Sequence, residues 1–268
     1  MLERLLPTPA CQTRQGGRPE KHHRRDIVDA IRYVVDNGIK WRALPADFPP
    51  FQTVFGFFTR WAAAGVVTRI RDQLRRRLRI RADTSPRPVS VILDSQSVKA
   101  AETVSRATRG YDPGKKINGR KRHLAVDNRG LLVSVLVTGA DVRDADAARD
   151  VLWRLRLIHP SVVVAWADSA YAGQLVQWAD KLGITLKTVP RPKGAKGFVV
   201  LPKRWIVERT NAWTLRARRN VRDYERLPQH SEAHVNWAAI ALMTKRLTRK
   251  GATATRTAKP WRKREGAA

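Results

Sequence analysis

The chain has 268 residues, with 53 Lys/Arg against 23 Asp/Glu, a formal net charge of +30, nine Trp and one cysteine, Cys11. That length holds one large domain, or a small and a medium one, and the apolar content suffices for a real core. A lone cysteine excludes an internal disulfide framework, no segment reaches the roughly 18 apolar residues that span a bilayer, and the N-terminus lacks a signal-peptide pattern. The expected setting is therefore the cytoplasm with access to nucleic acid, because so positive a chain attracts a phosphate backbone largely irrespective of sequence.

Residues 1–22 are polar and irregular. From Asp26 to Asn37 the positions Ile27, Ala30, Ile31, Val34 and Val35 share one helical face, and Gly38 supplies a stop. A turn-rich stretch (40–50) precedes a second helix over 51–64, closed by Gly65. A third follows, with Val67, Ile70, Leu74 and Leu78 inward and Arg71, Arg75, Arg76, Arg77 and Arg79 mostly outward. Three short helices with Arg-rich faces over 1–82 predict an all-α, helix-turn-helix-like DNA-binding domain, with Arg75 and Arg76 as candidate contacts. The alternative is that these helices dimerise the protein or cap the next domain.

The Pro/Ser stretch 82–88 (ADTSPRP) marks the expected domain boundary. Residues 89–95 read as a strand, and 120–127 and 131–138 as two strands joined by the turn Asp127-Asn128-Arg129-Gly130. Then come a helix (144–158), a strand (161–168), a helix (173–182) and a strand (184–190). A basic loop (RPKGAKG) leads to the helix carrying Glu208, and a last apolar helix covers about 231–247. This order predicts a mixed α/β layer architecture over 89–248. The tail 249–268 lacks periodicity and reads as basic and disordered.

Between Val151 and Arg222 the only carboxylates are Asp168, Asp180 and Glu208. Asp94 ends the apolar run VSVILD and Asp168 ends VVVAWAD, so both sit where ligands gather at the ends of strands. On the Glu208 helix, Trp205, Ala212 and Leu215 share the face of the acid, which predicts a carboxylate turned to the core side. Singly, each Asp fits a turn or a cap as well. Together, amid so few acids, the three suit hard Mg²⁺ or Mn²⁺, which bridge carboxylates to phosphates. Asp127 reads as a turn residue, and Asp144 and Asp146 as acids of a helix start. Basic groups cluster at 115–122 (Lys115, Lys116, Lys121, Arg122), at 187–196, and at 203–226, where Arg204 and Arg216 flank Glu208.

Several stretches together resemble the DDE transposases of bacterial insertion sequences, in the branch numbered four and five. They are GRPEKHHRRDIVDAIRYVVDNGIKWRALPADFPPFQTVFGFFTRW, ILDSQSVKAA, GKKINGRKRHLAVDNRGLLVSVLVTGADVRDADAA, WADSAYAG and KRWIVERTNAWTLRARRNVRDYE. The likeness runs over about residues 5–248. It implies an RNase H-like catalytic domain, a mixed five-stranded sheet with flanking helices, behind the small helical domain. Asp94 would lie on the first strand, Asp168 after the fourth and Glu208 on a following helix, together holding two Mg²⁺ (or Mn²⁺) ions. Lys121, Arg122 and Arg204 would position phosphates. The implied activity is cleavage of double-stranded DNA at terminal inverted repeats and strand transfer to target DNA. The enzyme would act as a homodimer or larger assembly in the bacterial nucleoid. Forty positions separate Asp168 from Glu208, too few for the large β-rich insertion some relatives carry. The family's Tyr and Lys/Arg positions fall at Leu201 and Leu215, with Arg216 beside the latter. Two other expectations stand beside this one: an RNase H-like nuclease such as a junction resolvase, and a non-catalytic DNA-binding protein derived from a transposase.

Overall fold

Helix α1 (Arg24–Asn37) buries Ile27, Val28, Ala30, Ile31, Val34 and Val35 along one stripe and ends where Gly38, at φ 71°, bonds its N–H to the Val34 carbonyl. Helices α2 (Phe51–Ala63) and α3 (Val66–Arg81) follow, separated by Gly65 in the left-handed region. The computed structural model describes residues 2–14, 16–190 and 203–249. The basic loop RPKGAKG, Leu201 and the tail beyond Arg249 lie outside the described residues.

A six-stranded mixed sheet comes next. Its strands are β1 (Ser90–Lys99), β2 (Gly110–Asp112), β3 (Ile117–Asp127), β4 (Leu132–Gly139), β5 (Val164–Asp168) and β6 (Thr185–Val189). The path is β2-β3-β1-β5-β6, with β4 also on β3. The β1–β3 and β3–β4 pairs are antiparallel; β1–β5 and β5–β6 are parallel. This is the RNase H-like arrangement, the short β2 being the one strand beyond the expected five. Helices α4 (Asp144–Ile158) and α5 (Gln174–Lys181) cover one face, around Leu152, Leu155 and Tyr171. The other face meets α6 (Arg204–Leu215) and α7 (Pro228–Thr248) through Ile206, Val207 and Val235. The β3–β4 turn is built as expected: Asp127 Oδ1 accepts the N–H groups of Arg129 and Leu131, both at 2.9 Å.

Strand β1 does not stop at residue 95. It pairs with β3 from Val91↔Asp127 to Lys99↔Gly119, so Asp94 sits mid-strand opposite Leu124. The run QSVK lacks an apolar pattern, yet an eleven-residue partner strand gives its backbone groups somewhere to bond.

The largest correction concerns α3. Arg71, Arg75 and Arg79 are spaced by four on one face, and that face is interior, each residue being 5 % exposed or less. Arg71 donates to Asn236 Oδ1 (2.7 Å), Arg75 donates to the Leu132 carbonyl (3.0 Å), and both meet Asp72 at 2.8 Å. Arg79 pairs with the fully buried Asp127 at 2.7 Å. Their apolar stems pack while the guanidinium groups satisfy buried acceptors. Arg75 is thus a docking residue with no surface to offer DNA, whereas Arg76 is half-buried and Arg77 exposed. Nor do α1–α3 close a core among themselves: Ala233, Trp237, Ile240 and Met243 of α7 complete it. Among the described residues no helix is long and apolar enough to cross a membrane.

Candidate active site

Three elements bring Asp94, Asp168 and Glu208 to one place. Parallel pairing sets β5 beside β1, so that Asp168, at the C-terminal end of β5, lies near Asp94. Helix α6 then packs on β1, and its side chains at 204, 208 and 211 (i, i+4, i+7) share one stripe along the edge of that contact, Arg204 and Asn211 reaching Asp94. The Arg204 guanidinium stands among the three acids: 3.2 Å from Asp168, 3.8 Å from Asp94 and 3.8 Å from Glu208.

Burial grades the acids. The Asp94 side chain is 14 % exposed, Asp168 25 % and Glu208 47 %. Burial pushes the Asp94 carboxyl up to about 6; Arg204, the Ser95 N–H and Lys115 oppose the rise, and the neighbouring charge of Asp168 adds to it. Asp168 has two tasks, since its Oδ1 accepts the Ala170 N–H at 2.9 Å and caps the short turn 169–171 while Oδ2 faces Arg204. The cap and the site role are therefore compatible in one residue.

Glu208 reaches the site by another route than expected. The buried stripe of α6 is Ile206, Val207, Thr210 and Thr214, and Trp205 is 47 % exposed. Glu208 stands about half a turn from the middle of that stripe, on the open side, because α6 docks by its small and β-branched residues.

Sequence reasoning missed two residues here. Asn211 donates from Nδ2 to Asp94 Oδ2 at 2.9 Å, and its Oδ1 is buried without a partner among the described residues. Its spacing three after Glu208 was the available signal. Tyr171 is 2 % exposed and hydrogen-bonded to Ser95; burial, then the charges of Asp144, Asp94 and Asp168, hold its phenol well above the usual range. It stays protonated beneath the acids.

The expected phosphate contacts divide. Lys115 and Lys116 are exposed on the turn after β2, with Lys115 Nζ 3.3 Å from the Ser95 carbonyl and close to Asp94. Arg216 is exposed at the end of α6. Lys121 and Arg122 are buried instead. Lys121 pairs with Asp144 (3.1 Å) and donates to the Val142 carbonyl (2.8 Å). Arg122 donates to the Asn220 carbonyl (2.6 Å), and next to it Arg120 pairs with Asp223 at 3.2 Å, both fully buried. Strand β3 is central in the sheet and covered on both faces, so its basic side chains point into packed layers and cannot meet a duplex.

The donor set suits a hard divalent cation in kind, being carboxylate oxygen throughout and already sharing one cationic group, Arg204. In the present spacing, no group of three or more His, Cys, Asp or Glu among the described residues is compact enough to hold an ion. Asp94 and Asp168 form the close part, and Glu208 stands off on the helix.

A transposase DDE domain model matches residues 85–244, spanning all six strands and the whole site, and a model of transposases of the IS4/5 family matches residues 1–71. The chain belongs to the DDE transposases, in the IS4/5 branch. No curated protein matches it.

Proposed function

We propose that the protein binds the terminal inverted repeats of its own element, cuts the DNA there and joins the freed 3′-hydroxyl to target DNA. The observation that carries this reading is the convergence of Asp94, Asp168 and Glu208 on Arg204 in a chain of net charge +30. Asp94 and Asp168, with Glu208 swung inward on α6, would hold two Mg²⁺ or Mn²⁺ ions. When bound, such ions supply charge neutralisation at the phosphate and activation of water or a 3′-hydroxyl.

The remaining work falls to the chain's own residues. Asn211 fixes the rotamer of Asp94, so the carboxylate keeps its aim. Arg204, its side chain 28 % exposed, turns from the acids to a non-bridging phosphate oxygen as DNA arrives. Lys115, beside the Asp94 end of the cleft, and Arg216, at the far end of α6, hold flanking phosphates. No protein nucleophile is required; positioning and charge account for the rate. The protein acts on DNA as a homodimer or larger assembly, since two element ends must be held together.

The test is cleavage of a duplex carrying the element's terminal repeats, with Mg²⁺, by the wild type, Asp94→Asn and Glu208→Gln. Binding should persist in both variants and cleavage should vanish. Cleavage surviving either change would overturn the carboxylate assignment. Equal cutting of branched DNA lacking the repeats would favour the resolvase reading.

A further inference from the structure

On α6, one residue round from the acid-facing side, Trp205, Arg209 and Trp213 follow at i, i+4 and i+8. The Arg209 guanidinium lies 4.7 Å from the Trp205 ring centre and 4.6 Å from that of Trp213. Arg246 of α7 covers Trp213 as well, at 4.1 Å. Arg209 also donates to the Arg129 carbonyl (3.2 Å), which draws the exposed β3–β4 turn into the same cluster. Gly130 makes room there: at φ 76°, a methyl on it would stand 3.2 Å from the Arg209 guanidinium and 3.3 Å from the Trp213 ring.

Arg209 and Arg246 thus share the Trp213 ring, the charge of Arg129 acts on Arg246, and none of the three makes an ion pair among the described residues. Asp127, the acid whose charge acts on Arg246, is already taken by Arg79 and by two backbone N–H groups. Burial, Arg209 and Arg129 all press the Arg246 guanidinium toward losing its proton, against only Asp127. A protein gains nothing by crowding uncompensated cations unless an anion joins them. We infer that Arg129, Arg209 and Arg246, propped on Trp205 and Trp213, form a track for the phosphate backbone of duplex DNA leading to the carboxylates.

The ring stacking favours phosphate over bases as the ligand. Trp213 is covered by two guanidinium groups and Trp205 by one, so the rings serve as supports. A stacked guanidinium directs its N–H groups outward in its own plane, and Arg209 commits Nη2 to the Arg129 carbonyl and buries Nε, which leaves Nη1 to meet a phosphate. From Trp205 to Trp213 the helix rises about 12 Å, the span of about three phosphates on one strand. The track begins beside Arg204 and Glu208, so a strand lying along it is delivered to the site.

This inference rests on the reading of the protein as a DNA-cutting enzyme. Its test is the salt dependence of the Kd for a duplex of the element's end. The wild type is compared with Arg209→Gln/Arg246→Gln, and with Arg149→Gln/Arg156→Gln on the exposed side of α4, across the sheet. Loss of two phosphate contacts makes the log–log slope shallower by about 2, while the α4 control barely moves. Arg129→Gln alone, on an exposed turn, shallows it by about 1 and keeps the question answerable if the double variant unfolds. An unchanged slope, an equal change in the α4 control, or loss of single-stranded but not duplex binding would overturn the track. Asp94→Asn separates the two readings: if it still cleaves, the carboxylate site fails; if it is dead while the slopes stay put, only the track fails.

Discussion

Asp223→Asn is the sharpest probe of the scaffold behind the site. Asp223 pairs with Arg120 at 3.2 Å with neither side chain exposed, and it also accepts from Ser231 Oγ (2.7 Å) and the Glu225 N–H (2.9 Å). It ties β3 to α7 and to the segment that follows α6, so it fixes the frame on which Glu208 rides. The change to Asn keeps shape and removes charge, leaving the buried guanidinium of Arg120 without its carboxylate. Arg122, for which Asp223 is the largest compensating charge, loses support too. Breaking one side of such a pair costs about 3–5 kcal/mol, roughly 6–20 °C in Tm for a chain of this size. Arg120→Met should cost a similar amount. The double variant should lose less than the sum, with a coupling on the order of 2 kcal/mol. Urea unfolding followed by tryptophan fluorescence measures all three. A loss below about 1 kcal/mol for Asp223→Asn, or strict additivity, would show that the pair is not the buried, unsolvated contact described.

Asn211→Ala should lower strand cleavage and Mn²⁺ affinity by about 10–100-fold with little change in Tm, and Asn211→Asp, which sets a second carboxylate against Asp94, should be worse; wild-type affinity in the Ala variant would remove its positioning role. Burial holds His123 and His159 down to about 4, from an ordinary 6.5. Both are neutral in the fold and take up protons on unfolding, so stability is full above pH 6.5 and falls as pH drops toward 4. The loss is on the order of 3 kcal/mol per imidazole, and urea midpoints that stay level over that window would contradict it. Gly119→Ala would set a methyl 1.9 Å from the Val98 carbonyl oxygen, at the end of the β1–β3 pairing. Thermal melts should show a loss of about 1–3 kcal/mol, and an unshifted melt would contradict the close approach.

The sequence carried the element order well because local signals agree with tertiary ones: the stripe of α1 with its Gly38 stop, the Asp127–Gly130 turn, and the apolar runs before Asp94 and Asp168. It misjudged what depends on partners distant in the chain. The extension of β1 to Lys99 follows from β3, which supplies the backbone partners. The inward arginines of α3 follow from Asp72, Asp127, Asn236 and a carbonyl of β4, and no local pattern distinguishes an arginine bound for such acceptors from one bound for DNA. Lys121 and Arg122 failed as surface residues for the same reason. For Glu208, the large apolar neighbours Trp205 and Leu215 suggest the wrong helical phase, because α6 docks through Ile206, Val207, Thr210 and Thr214. The carboxylate set itself was legible because acids are scarce here, so three of them in strand-end and helix contexts stood out.

The core shared by α1–α3 and α7 has a consequence for how the molecule is made. During synthesis the first three helices leave the ribosome without the residues that seal them, since Ala233, Trp237, Ile240 and Met243 come about 150 positions after α3. At some 5–20 residues per second, the wait is on the order of ten seconds, with apolar faces open throughout. A product that terminates before α7 can never close its amino-terminal half, however complete its carboxylates. Helix α7 therefore acts as a proofreading mark on translation: only a chain read through to it can close the core of α1–α3.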